Sequence, residues 1–73
     1  MDTRNISSVC ARIRNGEGGI VFKLDSDFIY DNFVTLVKAI SGSNMTDDQI
    51  GGLIDYIRDV YNSYKMENMS DLC

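Results

Sequence analysis

The chain has 73 residues, seven basic and eleven acidic side chains, and a formal net charge of −4 at pH 7. This length allows one small domain, which buries only roughly 60% of the surface that its unfolded chain exposes. Histidine is absent from the sequence. Its absence excludes histidine metal ligands, histidine general bases and nucleophiles that depend on a neighbouring histidine.

The charge is distributed unevenly along the chain. Residues 1–24 carry four basic and two acidic side chains, and residues 25–73 carry three basic and nine acidic ones. We therefore expect poor binding to a nucleic-acid backbone, whose affinity comes mainly from lysine and arginine. No apolar run approaches the roughly 18 residues that a membrane helix needs, and none follows the N-terminus as in a secretory signal. We expect a cytoplasmic protein, including the host cytoplasm if it is viral, with Cys10 and Cys73 as free thiols.

Residues 8–24 predict a β-hairpin. Side chains alternate between two faces on either side of the glycine-rich turn 15–19. Before the turn, one face carries Val9, Ala11 and Ile13 and the other carries Cys10, Arg12 and Arg14; after it, one face carries Ile20, Phe22 and Leu24 and the other carries Val21 and Lys23. Two runs of period two around such a turn are typical of paired strands.

A second interpretation makes residues 3–14 a helix. Apolar side chains then recur at helical spacing, and Asn15-Gly16 would end the helix. This interpretation leaves residues 20–24 as one short strand with no partner in the chain. The residues that support the helix are Ile6, Val9, Cys10 and Ile13.

Two helices are predicted in the rest of the chain. The first covers about 26–41 and precedes Gly42; its apolar stripe is Ile29, Phe33, Leu36, Val37 and Ile40. The second covers about 46–66 and begins with the capping box Thr46-Asp47-Asp48-Gln49. Its apolar stripe is Ile50, Leu53, Ile54, Ile57, Val60, Tyr61 and Tyr64.

These elements predict a single α+β domain over residues 1–66. A β-hairpin would pack on an antiparallel helical hairpin, in the order ββαα, and residues 67–73 would form a frayed polar tail. The alternative fold is an all-α three-helix bundle with one short strand.

Two clusters suggest ligand sites. Asp25 and Asp27 resemble the opening of a calcium loop, but its sixth and twelfth positions would be Tyr30 and Leu36 rather than glycine and glutamate. We therefore expect no metal site. A possible anion-binding site combines two arginines with backbone amides of the glycine turn. Its residues are Arg12, Arg14, Gly16 and Gly18.

Gly51 and Gly52 lie in the first turns of the last predicted helix, where each is disfavoured by about 1 kcal/mol relative to alanine. Three explanations are open. Another helix or another subunit packs closely against these glycines, a ligand approaches them, or glycine is tolerated there because the first turn of a helix is only half formed.

Several apolar or aromatic residues fall outside the main stripes of their helices. Tyr30, Val34 and Tyr56 suggest a second apolar face that a chain of this length cannot cover by itself. Asp55 and Asp59 lie on the exposed side of the last helix. The predicted partner-binding site consists of these five residues. With Asp47 and Asp48, the two aspartates could also imitate the phosphate spacing of a nucleic acid and occupy a nucleic-acid groove of the target.

No catalytic set or cofactor motif is recognisable, and Cys10, the one plausible nucleophile, has no identifiable base. We therefore expect a non-enzymatic acidic interaction protein that binds a larger protein stoichiometrically and is itself a homodimer or higher homo-oligomer. By analogy of size and charge, it could be a phage-type inhibitor of a host or defence protein. The alternatives are a homo-oligomer that sequesters a small anion such as a nucleotide, and a small transcriptional regulator.

Overall fold

The computed structural model describes residues 5–69. This part of the chain is 81% helical and contains no strand. In chain order it forms α1 (Ile6–Arg14), a 3₁₀ helix (Gly18–Lys23), α2 (Ser26–Asp31), α3 (Phe33–Ser41) and α4 (Asp47–Met69). The predicted α+β fold with an N-terminal β-hairpin is therefore wrong, and so is the single strand of the all-α alternative.

The C-terminal end of α1 explains why the hairpin does not form. The backbone N–H of Gly16 donates to the carbonyl of Ile13 at 2.9 Å, and that of Glu17 donates to the carbonyl of Arg12 at 3.0 Å. This pair of bonds is a Schellman motif, which places a residue with positive φ just after the helix. Gly16 has a φ of 96°, so it ends a helix, as the second interpretation of residues 3–14 predicted, and does not turn a hairpin.

Residues 18–24 follow a spacing of three rather than two. Val21 is fully buried and Leu24 nearly so, and Gly18 lies on the same side, against the core. In a 3₁₀ helix, residues i and i+3 eclipse one another, so these three residues share one face. Phe22, which the strand interpretation placed on the same side as Leu24, is 55% exposed.

The predicted helix over 26–41 is divided at Asn32. The side-chain amide of Asn32 donates to the carbonyl of Phe28 at 2.9 Å, and its backbone N–H donates to the same carbonyl at 3.1 Å. Both bonds go to the Phe28 carbonyl, which belongs to the last turn of α2, where carbonyl groups lack the usual partner from a following turn of helix. The next helix begins at once, because the N–H of Leu36 donates to the carbonyl of Asn32 at 2.9 Å.

The N-terminus of α4 confirms the capping box. The N–H of Gln49 donates to Thr46 Oγ1 at 3.2 Å, and the N–H of Thr46 donates to Gln49 Oε1 at 3.3 Å. The helix continues to Met69, three residues beyond its predicted end at 66. Part of the predicted tail is thus helical, and the rest, with Cys73, lies outside the described residues.

One apolar core joins all of these elements. The helix α3 packs against both α1 and α4, α2 packs against α4, and the 3₁₀ helix packs against α1 and α4. The core residues are Val9, Cys10, Ile13, Val21, Leu24, Ile29, Leu36, Ala39, Ile40, Met45, Leu53 and Ile57.

Candidate functional site

A groove of about 360 Å³, which we call the glycine groove, separates the turn after α1 from the first half of α4. Apolar ligand pockets usually enclose roughly 300–1,000 Å³, so this groove is at the small end of the range. Glycines form much of its wall. The lining residues are Gly16, Glu17, Gly18, Gly19, Phe22, Met45, Gln49, Gly52 and Leu53.

Gly18 brings the two walls of the groove together. A Cβ atom added to it would lie 2.7 Å from Met45 Sδ and 2.8 Å from Leu53 Cδ1, closer than side chains normally approach. Because Gly18 has no side chain, the turn can rest directly on these two core residues. The turn therefore stays close to α4, and the groove opens beside that contact.

Phe22 forms the exposed aromatic edge of the groove. Its ring packs on that of Tyr56, with centroids 4.7 Å apart and planes inclined by 55°. The ring remains 55% exposed despite this contact, so its outer face is open to another molecule. The strand interpretation placed Phe22 on one face with Ile20 and Leu24 and did not identify it as a binding residue. The spacing of Gly18, Val21 and Leu24 could have shown that Phe22 points outward.

Acidic residues follow the exposed side of α4 next to the groove. Asp48, Asp55 and Asp59 are spaced so that a helix of 3.6 residues per turn brings them to one face. Gly52 lies between them on the same face and also lines the groove. Asp55 is bonded to Arg58 at 3.0 Å, while Asp48 and Asp59 have no ion-pair partner among residues 5–69.

The two tyrosines of the predicted partner-binding site belong to separate aromatic groups. Tyr30 is half-buried and stacks on Tyr61 at 4.8 Å, and it also contacts the ring of Tyr64 at 4.8 Å. Tyr56 instead packs on Phe22, beside the groove. Both tyrosines thus have partners within the chain, which accounts for their positions off the main stripes.

The remaining members of that predicted site are exposed. Val34 keeps 62% of its surface in solvent. Asp55 and Asp59 lie on the acidic side of α4, and both are exposed.

The structure does not bring together the residues predicted to bind an anion. Residues two apart on an α-helix point about 200° from each other, so Arg12 and Arg14 lie on different sides of α1. The Arg12 guanidinium forms an ion pair with Glu17 at 3.1 Å. Arg14 lies in a different depression, beside Cys10 and Thr35. Gly16 and Gly18 line the glycine groove instead.

Gly51 and Gly52 make no close contact that would require glycine. A Cβ atom added to either would meet nothing within 4 Å. Close packing inside the chain therefore does not account for them. Packing against another molecule, the approach of a ligand and tolerance of glycine in the first turns of the helix remain as explanations.

The described residues contain no group of three or more acidic, cysteine or histidine side chains that could hold a metal ion. None of the helices within residues 5–69 has the length and apolar character needed to span a membrane. Comparisons with protein-family models, curated proteins and solved structures find no match to this chain.

Proposed function

We propose that this protein is a small acidic, non-enzymatic protein that acts by stoichiometric binding to a larger protein. The observation that carries the proposal is the exposed Phe22 ring beside a glycine-lined groove. Phenylalanine, tyrosine and methionine are enriched at the centres of protein interfaces, where burying a large ring contributes strongly to affinity.

The acidic side of α4 supports the same proposal. Asp48, Asp55 and Asp59 adjoin the groove, so a partner with a basic surface would meet complementary charge at its edge. Such charges accelerate association and select partners more than they add affinity. Inhibition of a host or defence protein is one way in which this binding could act.

The two alternative functions receive less support. Sequestration of a nucleotide requires a shared cationic site, yet Arg12 and Arg14 lie on different sides of α1 and Arg12 is paired with Glu17. Direct DNA binding requires a basic recognition helix, whereas the exposed side of α4 is acidic.

Native mass spectrometry of the protein purified from its host, or from a host lysate, tests the proposal. We expect a complex with one partner protein in a simple ratio. The Phe22→Ser variant and the Asp55→Lys/Asp59→Lys double variant should each lose that complex. Asp31→Lys is the control, because Asp31 is also exposed but lies on α2 and does not line the groove.

Retention of the complex by both groove variants would place the binding surface elsewhere. A homo-oligomer that retains a small anion and releases it on Arg12→Ala substitution would favour the sequestering function instead.

A further inference from the structure

We propose that the glycine groove binds one apolar side chain, of leucine, methionine or phenylalanine, from a partner segment that carries lysine or arginine on either side of it. This inference rests on the proposed function and specifies the chemistry of the partner.

Two of the glycines that line the groove, Gly19 and Gly52, make no contact inside the chain that requires glycine. Neither has a positive φ, and an added Cβ at either would meet nothing within 4 Å. Glycine is disfavoured inside a helix relative to alanine, and Gly52 lies in α4. Their common effect is to leave bare backbone on both sides of the groove, so that another backbone can approach closely.

The floor of the groove is apolar. Met45 and Leu53 are nearly fully buried members of the core, and Gly18 packs directly on them. Phe22 closes one side with a ring supported by Tyr56. The residues that line the groove include no basic side chain to bind a phosphate, so its walls suit an apolar side chain better than a nucleotide.

The charges near the groove select basic flanking residues. Asp48 lies one turn before Gly52 on the exposed side of α4, and Asp59 lies further along the same face. Neither has an ion-pair partner among residues 5–69, whereas Asp55 between them is paired with Arg58. Glu17 lines the groove but forms an ion pair with Arg12, and the two charges of this pair cancel. A lysine or arginine can also lie over the open face of the Phe22 ring, which attracts cations.

A library of displayed random peptides of twelve residues, selected on the purified full-length protein, tests this inference. We expect the enriched peptides to contain one large apolar residue flanked by lysine or arginine. Synthetic versions of these peptides should bind the wild-type protein and lose at least tenfold in affinity on Gly52→Leu substitution, because the new side chain enters the groove.

Gly51→Leu is the matched control. Gly51 lies in the same turn of α4 but does not line the groove, and an added side chain there also meets open space. The peptides should bind this variant within twofold of the wild type. In a nitrogen–proton correlation spectrum, bound peptide should shift the amide signals of Gly18, Gly19 and Gly52 and leave that of Gly42 in place.

Several outcomes would overturn the inference. These are the absence of enriched peptides, enrichment without basic residues, equal effects of the two leucine variants, and a wild-type homodimer that Gly52→Leu dissociates. If a complex with a partner protein forms in native mass spectrometry and the Gly52→Leu variant still forms it, the inference fails while the proposed function stands. If no partner complex forms in native mass spectrometry, the proposed function itself fails.

Discussion

Arg12 and Glu17 are joined twice at the end of α1. The backbone N–H of Glu17 donates to the carbonyl of Arg12 at 3.0 Å, and the two side chains form an ion pair at 3.1 Å. The backbone bond belongs to the Schellman motif, and the ion pair lies over it on the surface. This arrangement directs the chain from α1 towards α4. It also pairs the guanidinium of Arg12, a predicted anion ligand, with a carboxylate of the same chain.

The Schellman motif should depend on Gly16 more than on the ion pair. Gly16→Ala places a side chain at a φ of 96°, so we expect the free energy of unfolding to fall by about 1–2 kcal/mol. Glu17→Gln removes only a surface ion pair, which typically contributes about 0.2–1 kcal/mol. Urea unfolding followed by circular dichroism compares the two variants, and an unchanged midpoint for Gly16→Ala would contradict the assignment.

The contact between the turn and the core should make Gly18 intolerant of a methyl group. Gly18→Ala forces Met45 or Leu53 to move, and overpacking of this kind costs about 1–3 kcal/mol. Gly19→Ala is the control, since its Cβ atom meets nothing within 4 Å. Thermal and urea unfolding should separate the two variants clearly. Equal stability would mean that the turn does not rest on the core at this point.

Alanine at position 51 or 52 should stabilise the isolated protein. Both positions are open and helical, so each substitution should raise the free energy of unfolding by up to about 1 kcal/mol. The measurement is the urea midpoint of each single variant and of the double variant. A loss of stability in either single variant would reveal a contact at the first turns of α4 that requires glycine.

The stacked rings of Tyr30 and Tyr61 should be energetically coupled. Their centroids are 4.8 Å apart with planes inclined by 17°, and aromatic pairs contribute about 0.5–1.5 kcal/mol beyond burial. A double-mutant cycle with Tyr30→Leu and Tyr61→Leu measures this coupling in the free energy of unfolding. A second cycle between Tyr30 and Phe22, which belong to different aromatic groups, should give a coupling near zero. Similar coupling in both cycles would refute the separation of the two groups.

The last helix was the most predictable element, because its signals are local. Thr46 and Gln49 cap each other within four residues, and the predicted apolar stripe faces inward along α4. The division of the preceding helix at Asn32 was missed. An asparagine within a helical pattern carries no strong signal, and its side-chain bond to Phe28 becomes visible only in the structure.

The candidate groove was only partly predictable. Gly16, Gly18 and Gly52 were singled out by their residue type, but they were assigned to two unrelated sites. The sequence does not identify Phe22, Met45 and Leu53 as groove residues, because the groove forms only where residues more than twenty positions apart come together. The spacing of residues along the chain does not reveal such a contact.

The sequence by itself determined the uneven charge, the N-terminal cap of the last helix and a glycine suited to positive φ after Asn15, because each of these depends on composition or on neighbours within a few residues. Only the tertiary structure decided the conformation of residues 18–24. Their pattern is compatible with a spacing of two or of three, and such a short segment has little conformational preference of its own. Contact of Gly18 with Met45 and Leu53 stabilises the spacing of three, which buries Val21 and leaves Phe22 in solvent.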